Sequence, residues 1–335
     1  MNWKHGFSAV YYATVVDPIS WRDVKRFEIT GGSISRSLSN LQQTADIDCV
    51  SYPRNVEQWV RIYLNAKQSG DDIVVPLFTG LATSPDRDIN GRLETNSVQC
   101  YSVLKPAEDV LLQRGWYAPV GINGAELIRQ LLSVSSAPVE IESSSPSLKK
   151  AIIAENGENN LSMSLKILTA IDWRITISGD GTITVKPKAT EPVYKLDALS
   201  YDIVEPQLSV SSDWFKCPNI FRAVINDTIG IARDDDPKSM LSTVTRGREI
   251  WMEDTSCKLN KNETITQYAR RRLKEEQSVA YTVNYDRRFL PDLNASDLLE
   301  LHYPAQDIDG TFMVVNQSIE LGYGARTSEE VRKVK

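Results

Sequence analysis

The first hundred residues alternate between apolar and polar. Val10, Tyr12 and Thr14 fall on one side of an extended chain, and Tyr11, Ala13 and Val15 on the other. Phe27 and Ile29 lead into Gly31-Gly32, which reads as a turn or bulge. Val60, Ile62 and Leu64 share a face, KQSGDD predicts a hairpin loop, and IVVPLFTGLAT returns. Asn90-Gly91 predicts a tight hairpin turn, because both residues tolerate positive φ. RLETNSVQCYSVL then runs as one long strand to Pro106. About seven short strands in about a hundred residues predict a barrel or sandwich.

The period changes after Pro106. GAELIRQLL places Leu127, Ile128 and Leu131 on one helical face, with Asn123 as N-cap. SVSSAPVEIESSSPSLKK reads as a loop with one short strand. NNLSMSLKILTAIDW predicts a second helix whose apolar face is Leu161, Leu165, Leu168 and Ile171. WRITISGDGTITVKP predicts a hairpin around Gly179-Asp180-Gly181. From about Pro192 the β pattern resumes. NIFRAVIND reads as a strand with Ile220, Ala223 and Ile225 inward, and RDDDPKS as an exposed turn. TITQYARRRLKEEQ predicts a helix with Thr264 and Gln267 at capping-box spacing and Ile265, Tyr268 and Leu273 inside. The segment from Arg287 to Gly322 predicts three strands. Asp309-Gly310 is its hairpin turn, with Phe312, Val314 and Asn316 on one face and Met313, Val315 and Gln317 on the other. The order is therefore β unit, small α+β insert, β unit. Both β units close with a hairpin and a long strand, an architectural repeat without a residue-level one.

A length of 335 residues suits two or three domains. No apolar run approaches the ~18 residues that span a bilayer, so no membrane insertion is expected. The opening MNWKHGFSAVYYATVVDP has no signal-peptide pattern, so synthesis and folding in a cytoplasm are expected. Cys49, Cys100, Cys217 and Cys257 are far apart and form no C-x-x-C pair, as expected of free thiols. A formal net charge of −6 argues against a protein that grips DNA.

Candidate chemistry fails on spacing or partners. Asp234-Asp235-Asp236 stands before Pro237 without the spread oxygen ligands of a calcium loop, and reads as a solvated turn. The two histidines, His5 and His302, have no G-x-S-x-G beside them. His302, between Leu301 and Tyr303 in a strand, reads as structural. There is no phosphate-binding glycine loop. Arg270-Arg271-Arg272 is diluted by Lys274-Glu275-Glu276 and reads as a solvated or interfacial helix face. No catalytic residue, cofactor or metal is expected.

The C-terminal RRFLPDLNASDLLELHYPAQDIDGTFMVVNQSIELGYGARTSEEVRKV resembles the C-terminal barrel of phage baseplate hub proteins. That superfamily includes the contractile-phage hub, the late control D proteins and the N-terminal half of type VI secretion spikes. ENNLSMSLKILTAIDWRITISGDGTITVKPK resembles its middle segment, and CPNIFRAVIND the opening strand of its second barrel. CYSVLKPAEDVLLQRGWYAPVGINGAELIRQLL resembles the exit from its first barrel. The resemblance implies a β-rich α+β chain. A tube-like β-barrel over 1–105 and another over 191–335, with one packed helix, would flank an α+β domain over 106–190. It implies a structural, non-enzymatic role in a virion tail: a homotrimer forming a pseudo-six-fold ring. Such a ring joins a tail tube or distal tail protein, and the tape measure protein, to a spike or tail-tip fibre. DNA would pass through a lumen whose acidity keeps it from sticking. Phe289, Leu290, Pro291, Asp292, Leu293, Asp309, Gly310 and Phe312 are the expected assembly motif. Two other readings use the same β-rich composition. A glycan hydrolase would need paired carboxylates in a cleft, and a polysaccharide-binding tail module a row of exposed aromatics.

Overall fold

The computed structural model describes every residue except 4, 39–41, 54–56, 92, 143–145, 198–203, 213, 226–227, 256, 258, 260–262, 279–280 and 335. The chain starts with eight strands: β1 (Ser8–Val16), β2 (Asp23–Glu28), β3 (Gly31–Ser37), β4 (Gln43–Cys49), β5 (Gln58–Gln68), β6 (Asp71–Ala82), β7 (Asp86–Asn90) and β8 (Leu93–Ser102). A mixed segment follows: α1 (Lys105–Asp109), β9 (Tyr117–Ala118), α2 (Gly124–Leu132), β10 (Val139–Ile141), β11 (Ile152–Ile153), α3 (Asn160–Ile171), β12 (Trp173–Ile177) and β13 (Ile183–Pro187). The last part holds β14 (Pro192–Asp197), β15 (Val204–Ser212), β16 (Ile220–Ile225), β17 (Thr228–Arg233), α4 (Thr243–Arg246), β18 (Trp251–Asp254), α5 (Ile265–Ser278), β19 (Tyr281–Arg287), β20 (Leu298–Tyr303), β21 (Ile308–Glu320) and β22 (Thr327–Lys333).

Local chemistry explains the boundaries. Ser69 (φ 47°) and Gly70 (φ 98°) turn the β5–β6 hairpin through two successive positive φ angles, and Gly91 (φ 64°) sits in the β7–β8 turn. Asn123 caps α2 by accepting from the Glu126 amide. Asn159 and Ser162 form a reciprocal box at the start of α3, which Asp172 ends in a left-handed conformation. Thr264 and Gln267 exchange backbone and side-chain hydrogen bonds at the start of α5. The linker after α2 carries a single short strand, β10; positions 143–145 of it lie outside the described residues.

The two β-rich parts share a topology. In the first, the antiparallel order is β3-β4-β8-β6-β5, with β1 added beyond β5. In the last it is β15-β19-β22-β21-β20, with β14 beyond β20. Taken in chain order, the same strands occupy the same places. One difference is direction: β1 runs antiparallel to β5, whereas β14 runs parallel to β20. The parts are not separate bodies. β21 pairs with β3, so their strands form one 14-stranded sheet. Among the described residues its pairings close neither part into a barrel, and its main path ends at β15 and β2.

Three principal cores follow. Ile34, Ile47, Ile62, Leu64 and Phe78 lie in the first, and Val283, Leu299, Phe312, Val314 and Val331 in the third. Between them, α2 and α3 bury Ile128, Leu132, Ile167 and Leu168 with Ile175, Ile183 and Val185 of the small β10-β13-β12 sheet.

Three sequence expectations need correction. The strand at 220–225 does not open a second barrel. With β17 and β18 it forms a separate three-stranded sheet, and α5 packs on this sheet around Phe221, Ala232, Tyr268 and Leu273. The predicted helix therefore covers an inserted lobe, and not the large sheet. Second, Asp309-Gly310 is not the hairpin turn. The chain reverses at Pro304–Gln306 and left-handed Asp307 (φ 57°), and Gly310 lies inside β21 opposite Leu301. Gly310 does hold a positive φ of 121°. Third, a bulge between Val314 and Asn316 breaks the alternation. Phe312 and Val314 point inward, but beyond the bulge it is Gln317 and Ile319 that are buried while Asn316 is exposed.

Candidate assembly seam and sheet face

β21 is the strand that joins the two β-rich parts. Its start pairs with β20, and its end, Asn316–Glu320, lies between β22 and β3. A buried polar network sits beneath this crossing. The Glu329 carboxylate accepts from the Arg287 guanidinium, from Tyr285 Oη at 2.7 Å and from Gln317 Nε2 at 2.7 Å. Arg287 and Glu329 side chains are both fully buried. Gln317 also donates to the Leu293 carbonyl at 3.0 Å. Arg36, on β3, donates to Asn294 Oδ1 (2.7 Å), Gln317 Oε1 (3.1 Å) and the Leu77 carbonyl (2.7 Å), so one guanidinium ties both parts together. Burial, then repulsion from Arg287, lowers Arg36 to about 10, which leaves it charged at neutral pH. Burial would raise the Glu329 carboxyl, but the charge and hydrogen bond of Arg287 and the bonds from Tyr285 and Gln317 outweigh it and hold it below the ordinary glutamate value.

The expected Phe289–Leu293 motif is a clasp inside the chain at this seam. Phe289 packs edge-on against Trp3 (5.6 Å between centroids) in the first core, while Leu290 and Leu293 belong to the third. Pro291 is half-buried and Asp292 exposed between them. Phe312 is fully buried in the third core. Asp309 is exposed and bonded to His302 Nδ1 at 2.7 Å.

The middle segment touches both sides of the seam. The Gly179-Asp180 turn accepts hydrogen bonds from Thr79, Trp21 and Arg61. A Cβ on Gly179 would lie 1.8 Å from the Pro76 carbonyl oxygen, so the hairpin docks only through glycine. Arg174 reaches the other way, to the Ser296 carbonyl (2.6 Å) and Asp297 Oδ1 (3.0 Å).

Above the seam the sheet turns a polar face outward. Across β15, β19, β22, β21, β3 and β4 the outward positions include Gln207, Ser209, Asn284, Ser328, Asn316, Ser318, Ser35, Ser37 and Thr44. The acids Glu205, Asp286, Glu330, Glu320, Asp46 and Asp48 share this side with Arg326 and Arg332. Ser35, Ser37, Asn316, Ser318, Ser328 and Glu330 line a shallow concavity of about 480 Å³ on it. Short hydroxyl and amide side chains here offer an incoming phosphate few cations. The sequence had no signal for this face, because its members become neighbours only through pairing across the β21–β3 junction.

The other candidate groups are used within the fold. Asp234 accepts from Ser239 and Gln277, and Asp235 from Thr243 and Arg233. Arg271 and Arg272 pair with Glu275 and Glu276 on α5, and Arg271 also with Glu263 just before it. The four cysteines are buried and unpaired by disulfides. Among the described residues no cluster of three or more His, Cys, Asp or Glu could hold a metal. No helix among them is long and apolar enough to cross a membrane.

This fold is similar to that of phage tail proteins of known structure. A tail protein from Neisseria meningitidis MC58 superposes with a TM-score of 0.71 at 14% identity, covering 97% of both chains. The 43 kDa tail protein of prophage MuSo2 from Shewanella oneidensis gives 0.70 at 12% identity, over 97% of this chain and 98% of that one. A type VI secretion component of E. coli, itself described as similar to T4 tail proteins gp27 and gp5, gives 0.52 at 8% identity, over 98% and 74%. No protein-family model and no curated protein matches the sequence.

Proposed function

We propose that the chain is a structural hub protein of the tail of a phage or phage-like particle, with no catalytic role and no cofactor. Three copies form a ring with six similar β walls, and the ring joins the six-fold tail tube to a three-fold spike or tail-tip complex. The units over 1–105 and 191–335 act as the tube-like walls, and 106–190 as the domain that braces them. The observation that carries this reading is the repeated strand order of the two units, fused through β21 and β3 into one sheet. Two equivalent walls per chain convert three-fold packing into approximate six-fold packing. The polar, acid-rich sheet face lines the lumen, where it lets DNA pass without holding it. Assembly takes place in the host cytoplasm, and the ring's faces meet the tube or distal tail protein, the tape measure protein and the spike. The test is the assembly state of the purified chain, by mass photometry and electron microscopy. A three-chain ring with a central hole is expected; a monomer at every concentration, or a ring without a hole, overturns the reading.

A further inference from the structure

The shared topology allows the two parts to be aligned strand by strand, and the alignment has an anchor. In the first part, one row of paired residues runs Ile34, Ala45, Cys100, Ala82. In the last part the matching row runs Val210, Val283, Val331, Val314. Both rows face the core, and both end where the strand becomes irregular. Ala82 is the last residue of β6 before the break that leads to β7, and Val314 the last before the β21 bulge. β6 and β7 therefore correspond together to β21, since both flank β8 as β21 flanks β22.

One member of these rows is out of place. Val210 is 44% exposed, while Ile34 at the same position is fully buried. Ile34 is covered because β21 pairs with β3 and sets Ile319 directly opposite it. Among the described residues no strand does this for Val210: β15 pairs only with β19. The strand corresponding to the end of β21 is β7, whose outer edge is also unpaired among the described residues and whose Ile89 is 66% exposed. Each chain thus has one copy of the junction filled and the two halves of a second copy unfilled.

We infer that β7 of one copy pairs antiparallel with β15 of a second copy, repeating between chains the β21–β3 junction within the chain. The inference rests on the ring reading and names its interface. The alignment gives a register. Ser318, Ile319 and Glu320 correspond to Asp86, Arg87 and Asp88; Ser35, Ile34 and Ser33 correspond to Ser211, Val210 and Ser209. Asp86 therefore lies opposite Ser211, Arg87 opposite Val210 and Asp88 opposite Ser209, and Ile89 follows opposite Leu208. Parity agrees independently. Asp86 and Asp88 lie on the polar side, as do Ser209 and Ser211, while Ile89 and Leu208 lie on the core side. The pairing satisfies two open edges and buries Val210 and Ile89 in one step.

The test is a cysteine pair in the full chain, Asp88→Cys with Ser209→Cys, oxidised mildly and resolved on a non-reducing gel. Paired strands bring Cα atoms within the roughly 4.4–6.8 Å a disulfide needs. The expected result is a covalent ladder ending at three chains, several-fold stronger than for Asp88→Cys with Val210→Cys, whose side chains face opposite ways. The native cysteines are buried and give little background. Native mass spectrometry of the unmodified chain runs in parallel. Rings without the Asp88–Ser209 ladder overturn the edge pairing and leave the ring reading standing. Equal ladders from both pairs overturn the register. Absence of any ring overturns both.

Discussion

Arg287 and Glu329 are 42 residues apart in sequence and meet with no exposed surface on either side chain. Such a pair contributes little net stability when intact, but removing one partner leaves an uncompensated charge. Glu329→Gln is therefore expected to cost about 3 kcal/mol in urea unfolding. The pH dependence has a defined sign. Glu329 titrates lower in the folded chain than its ordinary value of 4.5, so its contribution is fully present above that value. It is lost as pH falls through the lowered folded value. The gap between wild type and Glu329→Gln should be constant near neutrality and shrink on acidification; a gap that widens in acid would show that the pair is not the cause. A sequence reader could not find this site. Arg287 and Glu329 each look like an ordinary surface charge in a strand, and only the β19–β22 register makes them partners. Asn123 and the Thr264–Gln267 box were legible because a cap is satisfied within three residues.

At the scale of elements, short-range turn chemistry was readable and strand irregularity was not. KQSGDD, Asn90-Gly91 and Gly179-Asp180-Gly181 all turn hairpins, since glycine is written where positive φ or close approach is needed. The β20–β21 turn misled because Asp-Gly is the stronger local signal. Tertiary pairing of Leu301 with Gly310 nevertheless carries both strands on to Pro304 and Ile308. Two substitutions separate these roles. Asp307→Gly should leave thermal stability within about 0.5 kcal/mol of wild type, because glycine accepts the left-handed turn freely. Gly310→Val should cost about 2 kcal/mol, because its positive φ lies inside a paired strand. Similar melting temperatures for the two would show that the positive φ of Gly310 imposes no strain on a larger residue. The middle hairpin makes a separate prediction. Gly179→Ala forces a methyl group onto the Pro76 carbonyl and should loosen the 173–187 hairpin from the first β unit. Faster proteolysis there, with little change in far-UV circular dichroism, is the expected signature.

For the whole molecule, the succession of β-rich, mixed and β-rich segments along the chain was legible from hydrophobic period, since long alternating runs report a two-sided sheet directly. Their fusion through β21 was not, because a junction between sequence-distant strands leaves no local trace. The polar face predicts weak DNA affinity. The chain should show no binding to duplex DNA by anisotropy at low salt. Asp46→Lys, Asp48→Lys and Glu330→Lys together should create binding that falls steeply with added salt. Binding by the unmodified chain would overturn the proposed placement of this face on a lumen.

The lobe of β16, β17, β18 and α5 enters between β15 and β19, where the equivalent strands β3 and β4 are joined by only residues 38–42. It has its own core, so a chain with 214–279 replaced by a short turn should keep the large sheet and its melting transition. In a ring of three such chains, bulky and bare corners would alternate around the rim. A three-fold partner of the proposed ring would then find three equivalent lobe-bearing positions and not six.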